Sequence, residues 1–256
     1  MRGLRARVID RKETAKERAA FARVRRAEKQ YAVQLRKVAR HVGDIIRTHK
    51  PLDASAIPSL KEALAKYADV ITPWATSAAE RMIFDVARRN EKAFIENAQA
   101  MGRALRSEIE SAPTGEYLRN KLRENVSLIR SLPIEAGQRV HRLTIAGIEN
   151  ATRSREIARE IARSGEVTVA RANLIARTEV ARTASGLVEA RSKHVGSEGY
   201  IWRSAGDGDV RKEHRALNGK FIRWDAPPVA ASNGDRYHAG QGPNCRCYPE
   251  PVLPEL

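Results

Sequence analysis

The sequence predicts a mainly α protein: an extended helical body that ends in a small, irregular α+β module. Three observations lead there. Up to about residue 195 the apolar residues recur at helical rather than strand spacing. Aromatic residues make up only 5% of the 256, so the core of that body falls to Leu, Ile, Val and Ala. Residues 196–256 then hold 8 of the 16 glycines and two of the three tryptophans.

Taken in order, Leu35, Val38, Val42 and Ile45 trace the apolar face of a first helix ending near His49, because Pro51 disfavours helical geometry in the residue before it. Pro58-Ser59 opens a short helix through Leu60, Leu64 and Tyr67. Thr72-Pro73 has the form of an N-cap followed by a first-turn proline, and the helix it starts is expected to run to about Ile109 through Met82, Ile83, Val86, Phe94 and Ile95. Pro113-Thr114-Gly115 breaks it. Leu122, Val126 and Ile129 lead to Ser131-Leu132-Pro133, where a new helix is expected to carry Val140, Leu143 and Ile148. Ser154 caps a short helix through Ile157 and Ile161, with Gly165 as its left-handed stop. Residues 167–193 form the last long helix, with Leu174, Ala181, Ala184 and Val188 on one face.

In the module, Tyr200–Arg203 and Lys220–Trp224 are strand candidates rich in aromatic and β-branched residues. Between them, residues 209–217 make a short helix stopped by Asn218-Gly219. The chain therefore divides into a basic helical arm (1–50), a variable helical region (51–119), a second helical part (120–195) and the Gly/Pro-rich module (196–256).

Charge is distributed unevenly. The formal net charge is +16, and residues 1–50 hold 16 Lys/Arg against 5 Asp/Glu. Arg23, Arg25, Arg26 and Lys29 form the densest part, a candidate contact for a polyanion such as nucleic acid, an anionic membrane face or an acidic protein patch. A solvated helix face accounts for the same charges, because Glu13, Glu17 and Glu28 stand near helical spacing from Lys16, Arg18 and Arg25. No aromatics interleave with the basic residues, which argues against base-stacking readout of single strands. No apolar run reaches the ~18 residues of a membrane span, and the basic start leads into no signal-peptide core. Cys245 and Cys247 would close a very small ring, so a disulfide framework is not expected.

Asp207, His214, His238, Asn244, Cys245 and Cys247 are the polar residues that stand out in the module. His214 with the Cys-x-Cys pair supplies three N/S donors for a tetrahedral zinc ion, with His238 or Asp207 as a fourth. Zinc would also hold a module with little regular core. Against this, Cys-x-Cys is a poorer clamp than wider spacings, and a packed histidine beside two small buried thiols explains the same residues. Two enzymatic readings also exist. One is a Cys245–His214 nucleophile pair oriented by Asn244 or Asp207; the other is a metal-dependent nuclease using the Asp/His/Asn set. Neither is accompanied by a nucleophile elbow, a phosphate-cradling loop or a zinc-protease helix. A plain, sequence-independent DNA-binding protein is a further alternative.

Several runs in fixed order resemble one family. Leu174-Ile-Ala-Arg-Thr-Glu-Val180 is followed by Gly199-Tyr-Ile-Trp202, Asp207, Val210-Arg211, Glu213-His214, Leu217-Asn-Gly219 and Asn244-Cys-Arg-Cys247. Together they look like the phage Mu F-like minor head proteins, the head morphogenesis proteins of tailed bacteriophages, over about residues 120–252. The motif residues matching the family are Arg177, Glu179, Trp202, Asp207, Arg211, His214, Gly219, Asn244, Cys245 and Cys247. One departure is Asp209, where the family commonly has a basic residue, so either Asp207 or Asp209 takes the usual part. The resemblance implies a non-enzymatic virion component, made in the host cytoplasm and placed inside the head near the portal vertex. Its implied partners are the portal protein, other head proteins and packaged double-stranded DNA nearby, with no membrane.

Overall fold

A computed structural model of the chain describes residues 15–49, 57–98, 111–149, 154–206 and 208–254. Its helices are α1 (Ala15–Thr48), α2 (Ile57–Val70), α3 (Thr72–Ala98), α4 (Gly115–Glu149), α5 (Ser154–Ala162), α6 (Ser164–His194) and the short α7 (Lys212–Leu217). Three strands, β1 (Gly199–Arg203), β2 (Phe221–Arg223) and β3 (Tyr248–Val252), form an antiparallel sheet in the order β2-β1-β3. By internal packing the chain divides into two compact units.

The helical unit comprises residues 28–83 and 119–179. Its core is the set of stripes that helical periodicity creates: Leu35, Val38, Val42 and Ile46 of α1; Leu60 and Leu64 of α2; Ala75, Ala79 and Met82 of α3; Ile129, Leu132 and Val140 of α4; Ile161 of α5; and Ile175 of α6. Polar contacts fix the pairing of these helices. The Tyr31 hydroxyl donates to Asn125 Oδ1 at 3.0 Å, and Arg36 Nη1 donates to Asn173 Oδ1 at 2.9 Å. Arg171 reaches Glu135 at 3.2 Å.

Several boundaries differ from the sequence expectation, each for a local reason. Ile46 rather than Ile45 completes the buried face of α1, because the repeat closes at 3.6 residues per turn and not at a fixed step of three. Thr72 does not cap α3: its hydroxyl donates back to the Ala68 carbonyl at 3.3 Å. The segment 99–110, where α3 was expected to continue, lies outside the described residues. Pro133 starts no new helix and sits inside α4. The carbonyl bond it forfeits is outweighed by the burial of Ile129, Leu132 and Ala136 around it. Gly165 is not a left-handed stop; it lies in the first turn of α6, where an added Cβ would come within 3.4 Å of Gly43 Cα. Its role is close helix approach.

The second unit is built on residues 15–27, 84–98, 111–118, 180–206 and 208–254. α6 is buried here nearly all round: Val180, Thr183, Ser185, Leu187, Arg191 and Ser192 are all buried. Ala181, Ala184 and Val188, expected on one face of the helix, together line a cavity of about 100 Å³ with Phe94, Pro249 and Pro251. β3 carries two prolines and was not expected from sequence. It pairs only with β1, so the edge strand tolerates missing N–H donors. Gly199 is required where β1 meets β2, since a Cβ there would lie 2.3 Å from the Ile222 carbonyl oxygen. The sheet covers a cluster of Tyr200, Trp202, Ile222, Trp224, Ala230, Ala239, Cys245 and Cys247.

Candidate functional site

Three short stretches bring the chemistry of this second unit together. α7 spans six residues, and only His214 among them is fully buried, so one helical turn aims a single imidazole inward. The chain turns at Asn244, the one described non-glycine residue with positive φ (56°), a conformation that asparagine tolerates better than most side chains. The Cys245 N–H then closes on the Gly242 carbonyl at 3.2 Å. Cys247 precedes β3, whose register against β1 sets Tyr248 opposite Arg203 and Pro249 opposite Trp202. Gly240 guards the same spot. Its φ is +85°, and an added Cβ would stand 3.0 Å from the Cys247 carbonyl oxygen.

The result is a buried cluster of His214, Cys245 and Cys247 whose donor atoms lie within 4.8 Å of one another. His214 Nδ1 is 3.6 Å from Cys245 Sγ and 3.5 Å from Cys247 Sγ. On its far side, Nε2 lies 3.0 Å from the Ala230 carbonyl oxygen and 3.2 Å from the Tyr237 hydroxyl. A carbonyl only accepts, so Nε2 carries the ring proton and Nδ1 presents its lone pair to the sulfurs. Tyr237 itself donates to Ala230 at 2.8 Å. Trp202 packs edge-on to the imidazole, with ring centroids 5.3 Å apart.

The two thiols are not equivalent. Cys245 is drawn well below the ordinary thiol range, chiefly by its interaction with Cys247, while burial opposes. Cys247 is pushed up for the converse reason, by donating to Cys245 and by burial. The Cys247 backbone N–H also points at Cys245 Sγ, 3.4 Å away. The pair thus holds a proton more readily on Cys247 than on Cys245. A cavity of about 60 Å³ opens beside them, lined by Ala205, Asp209, Val210, Arg211 and Asn244 as well as the cluster itself.

The remaining sequence candidates fall in different places. His238 is buried but does not join the cluster: its Nδ1 lies 3.2 Å from the Tyr200 hydroxyl, and burial lowers its pKa. Asp207 lies outside the described residues. Asp209 pairs with Arg246 at 3.2 Å. Arg211 clamps two loops, donating to the Pro243 carbonyl at 2.8 Å and to the Tyr237 hydroxyl at 3.3 Å. Gly219, at φ +79°, lets the chain re-enter beside β1, its N–H on the Trp202 carbonyl at 2.9 Å. In the helical unit, Arg177 pairs with Glu28 at 3.0 Å, and Glu179 is buried 3.9 Å from Lys121 Nζ. Arg25, Arg26 and Lys29 are exposed on α1; the Arg23 side chain is outside the description. Tyr237, which spacing alone does not single out, proves to be the hub joining Arg211, His214 and Ala230.

No described helix is long and apolar enough to cross a membrane. Residues 138–249 match the family model described as Phage Mu protein F like protein. A Haemophilus influenzae protein described only as uncharacterized is 30% identical to this chain over 129 residues, covering 50% of this chain and 28% of its own length. The chain therefore spans less than a third of that relative. No solved structure matches.

Proposed function

We propose, from the match of residues 138–249 to the family model described as Phage Mu protein F like protein, that the protein is a structural minor head protein acting with the portal in head morphogenesis. It works without turnover, from inside the head near the portal vertex. The observation that carries this reading is the use made of the motif residues. Arg211, His214, Gly219 and Asn244 tie or turn the loops of the module, and Trp202 fills its core. These are the contacts of an adaptor that must keep its shape while docked. A nucleophile has to meet a substrate, whereas Cys245 and His214 are each only 3% exposed. The exposed Arg25, Arg26 and Lys29 suit the neighbourhood of packaged DNA or an acidic portal surface, through salt-sensitive attraction that ignores sequence.

The test is assembly. The full chain should co-purify with portal oligomers and enter procapsids that contain no DNA. Procapsids assembled without it would overturn the reading. Substitution of His214 or Cys245 should impair folding or incorporation; an enzyme would instead lose turnover while still being incorporated.

A further inference from the structure

The geometry of the module points to a use for the cluster beyond adaptor shape: we propose that His214, Cys245 and Cys247 bind one zinc ion, with the fourth position open to the cavity beside Asp209, Arg211 and Asn244. Three observations carry this independently of the role in the head.

The first is distance. Zinc bonds of about 2.3 Å to sulfur and 2.0–2.1 Å to imidazole nitrogen, at the tetrahedral angle, place sulfur and nitrogen roughly 3.6 Å apart. The observed separations are 3.6 Å for Cys245 and 3.5 Å for Cys247. Each sulfur thus stands at the nitrogen–sulfur edge length of a zinc tetrahedron, and the three donors lie within 4.8 Å of one another, so the sulfurs need close only to the roughly 3.8 Å edge that two 2.3 Å bonds set. Thiol hydrogen bonding does not require this: Nδ1 has one in-plane lone pair and can accept only one well-aligned S–H.

The second is the outer shell. A metal-binding histidine characteristically donates its other ring N–H to a carbonyl or carboxylate, which fixes the tautomer. The Ala230 carbonyl does this at 3.0 Å, held by a Tyr237 hydroxyl that Arg211 holds in turn. The Cys247 N–H directed at Cys245 Sγ gives a thiolate the backbone donor it favours. The Trp202 indole N–H, buried and in no well-formed hydrogen bond, lies within reach of Cys247. An indole N–H left so is better matched by a metal-bound thiolate than by a neutral thiol.

The third is charge. Binding releases the thiol protons to solvent, and one Zn²⁺ with two thiolates and a neutral imidazole leaves a centre of zero net charge. Such a centre can be buried without an uncompensated charge. Two thiolates and one imidazole also select zinc over magnesium or calcium, which take oxygen ligands. The fourth position falls to a water, since the 60 Å³ cavity exceeds the roughly 10–15 Å³ that one water occupies.

The experiment uses the full chain without a histidine tag, exchanged into metal-free buffer and then given one equivalent of Zn²⁺ or Co²⁺ and desalted. About one zinc per chain should remain. The Co²⁺ form should show thiolate-to-cobalt charge transfer and the intense visible bands of a four-coordinate site. Cys245→Ser and Cys247→Ser should each weaken zinc binding by more than the roughly 10–100-fold that a lost outer-shell partner costs. His238→Gln should leave it unchanged, because His238 stands outside the cluster. Should the cysteine variants not fold, the cobalt spectrum of the unaltered chain decides. Weak octahedral bands, no bound metal, or zinc lost equally in His238→Gln would overturn the assignment. Portal binding is scored separately, so zinc can fail while the assembly role stands.

Discussion

The helical unit and the C-terminal module solve the same stability problem in opposite ways. In the former, long helices repeat an apolar stripe, and each buried side chain is one of many equivalent neighbours. In the module, short strands and loops are held by a few large side chains and by side chain-to-backbone bonds. The Ser197 hydroxyl donates to the Val252 carbonyl at 2.7 Å and accepts from Trp224 Nε1 at 3.2 Å, and the Ala239 N–H rests on the Tyr200 hydroxyl at 3.1 Å. Removing one side chain should therefore hurt the module more, even where the buried volume is similar.

The largest effect tests that directly. Trp202 is fully buried between the imidazole and the sheet, and Trp202→Ala should cost about 3–5 kcal/mol. Because it also uncovers His214, the module should lose native structure as a whole. Ile129→Ala in the helical unit should cost about 2–5 kcal/mol and leave the helices formed. Denaturant unfolding separates the two cases: Trp224 fluoresces from the module and Trp74 from the helical unit. Equal, local losses in both would break the comparison.

The same contrast explains what could be read from the sequence. Apolar spacing located the buried faces of α1 and α2 because helix geometry repeats, and missed their closing steps, from Ile45 to Ile46 and from Tyr67 to Ala68. It could not show that Pro133 stays within α4, because burial of Ile129, Leu132 and Ala136 is a tertiary effect with no local signature. In the module there is no period to follow. β3 hides behind Pro249 and Pro251, and only its edge position makes them tolerable. Composition did single out His214, Cys245 and Cys247 as a chemical set, since few other residue types can bind a soft metal. The grouping of His214 with the two cysteines was legible in that set, whereas loop paths decide that His238, offered as a fourth donor, stays outside the cluster.

Glycine replacement sharpens the comparison with a smaller effect. Gly240→Ala should destabilise the module by about 2 kcal/mol: the left-handed conformation alone costs roughly 1–2 kcal/mol, and the Cβ meets the Cys247 carbonyl at 3.0 Å. Gly165→Ala, inside α6, should lie between neutral and about 1 kcal/mol stabilising, because helix propensity offsets the 3.4 Å approach to Gly43. Thermal melts of the two variants should move in different directions, or only the first should move.

Acid should also act on the module first. Burial above all lowers the His238 pKa, and Lys193 adds to this; Glu189 and a hydrogen bond with the Trp224 backbone oppose it only in part. A depressed native pKa means that the unfolded chain takes up the proton first as pH falls. The contribution of His238 is therefore complete above about pH 6.5, the ordinary histidine value, and is lost on acidification below it. The slope for one proton is at most about 1.4 kcal/mol per pH unit. His238→Gln should flatten the module's stability between pH 6.5 and 5 while Trp74 reports no change; an unaltered slope in the variant would assign the acid sensitivity elsewhere.

The smallest effects distinguish the two units by how far their ion pairs are withdrawn from water. Arg203 and Glu250 pair diagonally between β1 and β3, on either side of the Trp202–Pro249 register pair, with side chains 12% and 15% exposed. Arg130 and Asp69 join α4 to α2 with side chains 39% and 73% exposed. Solvent screens the second pair, so Asp69→Asn should change stability by less than about 1 kcal/mol, and salt should erase the difference. Glu250→Gln should cost more, about 1–3 kcal/mol, because it leaves the Arg203 guanidinium largely covered and without its anionic partner, and salt should leave that cost nearly intact. Denaturant midpoints at low and high salt measure both. If Glu250→Gln proved as mild and as salt-sensitive as Asp69→Asn, the module would have no special dependence on single contacts.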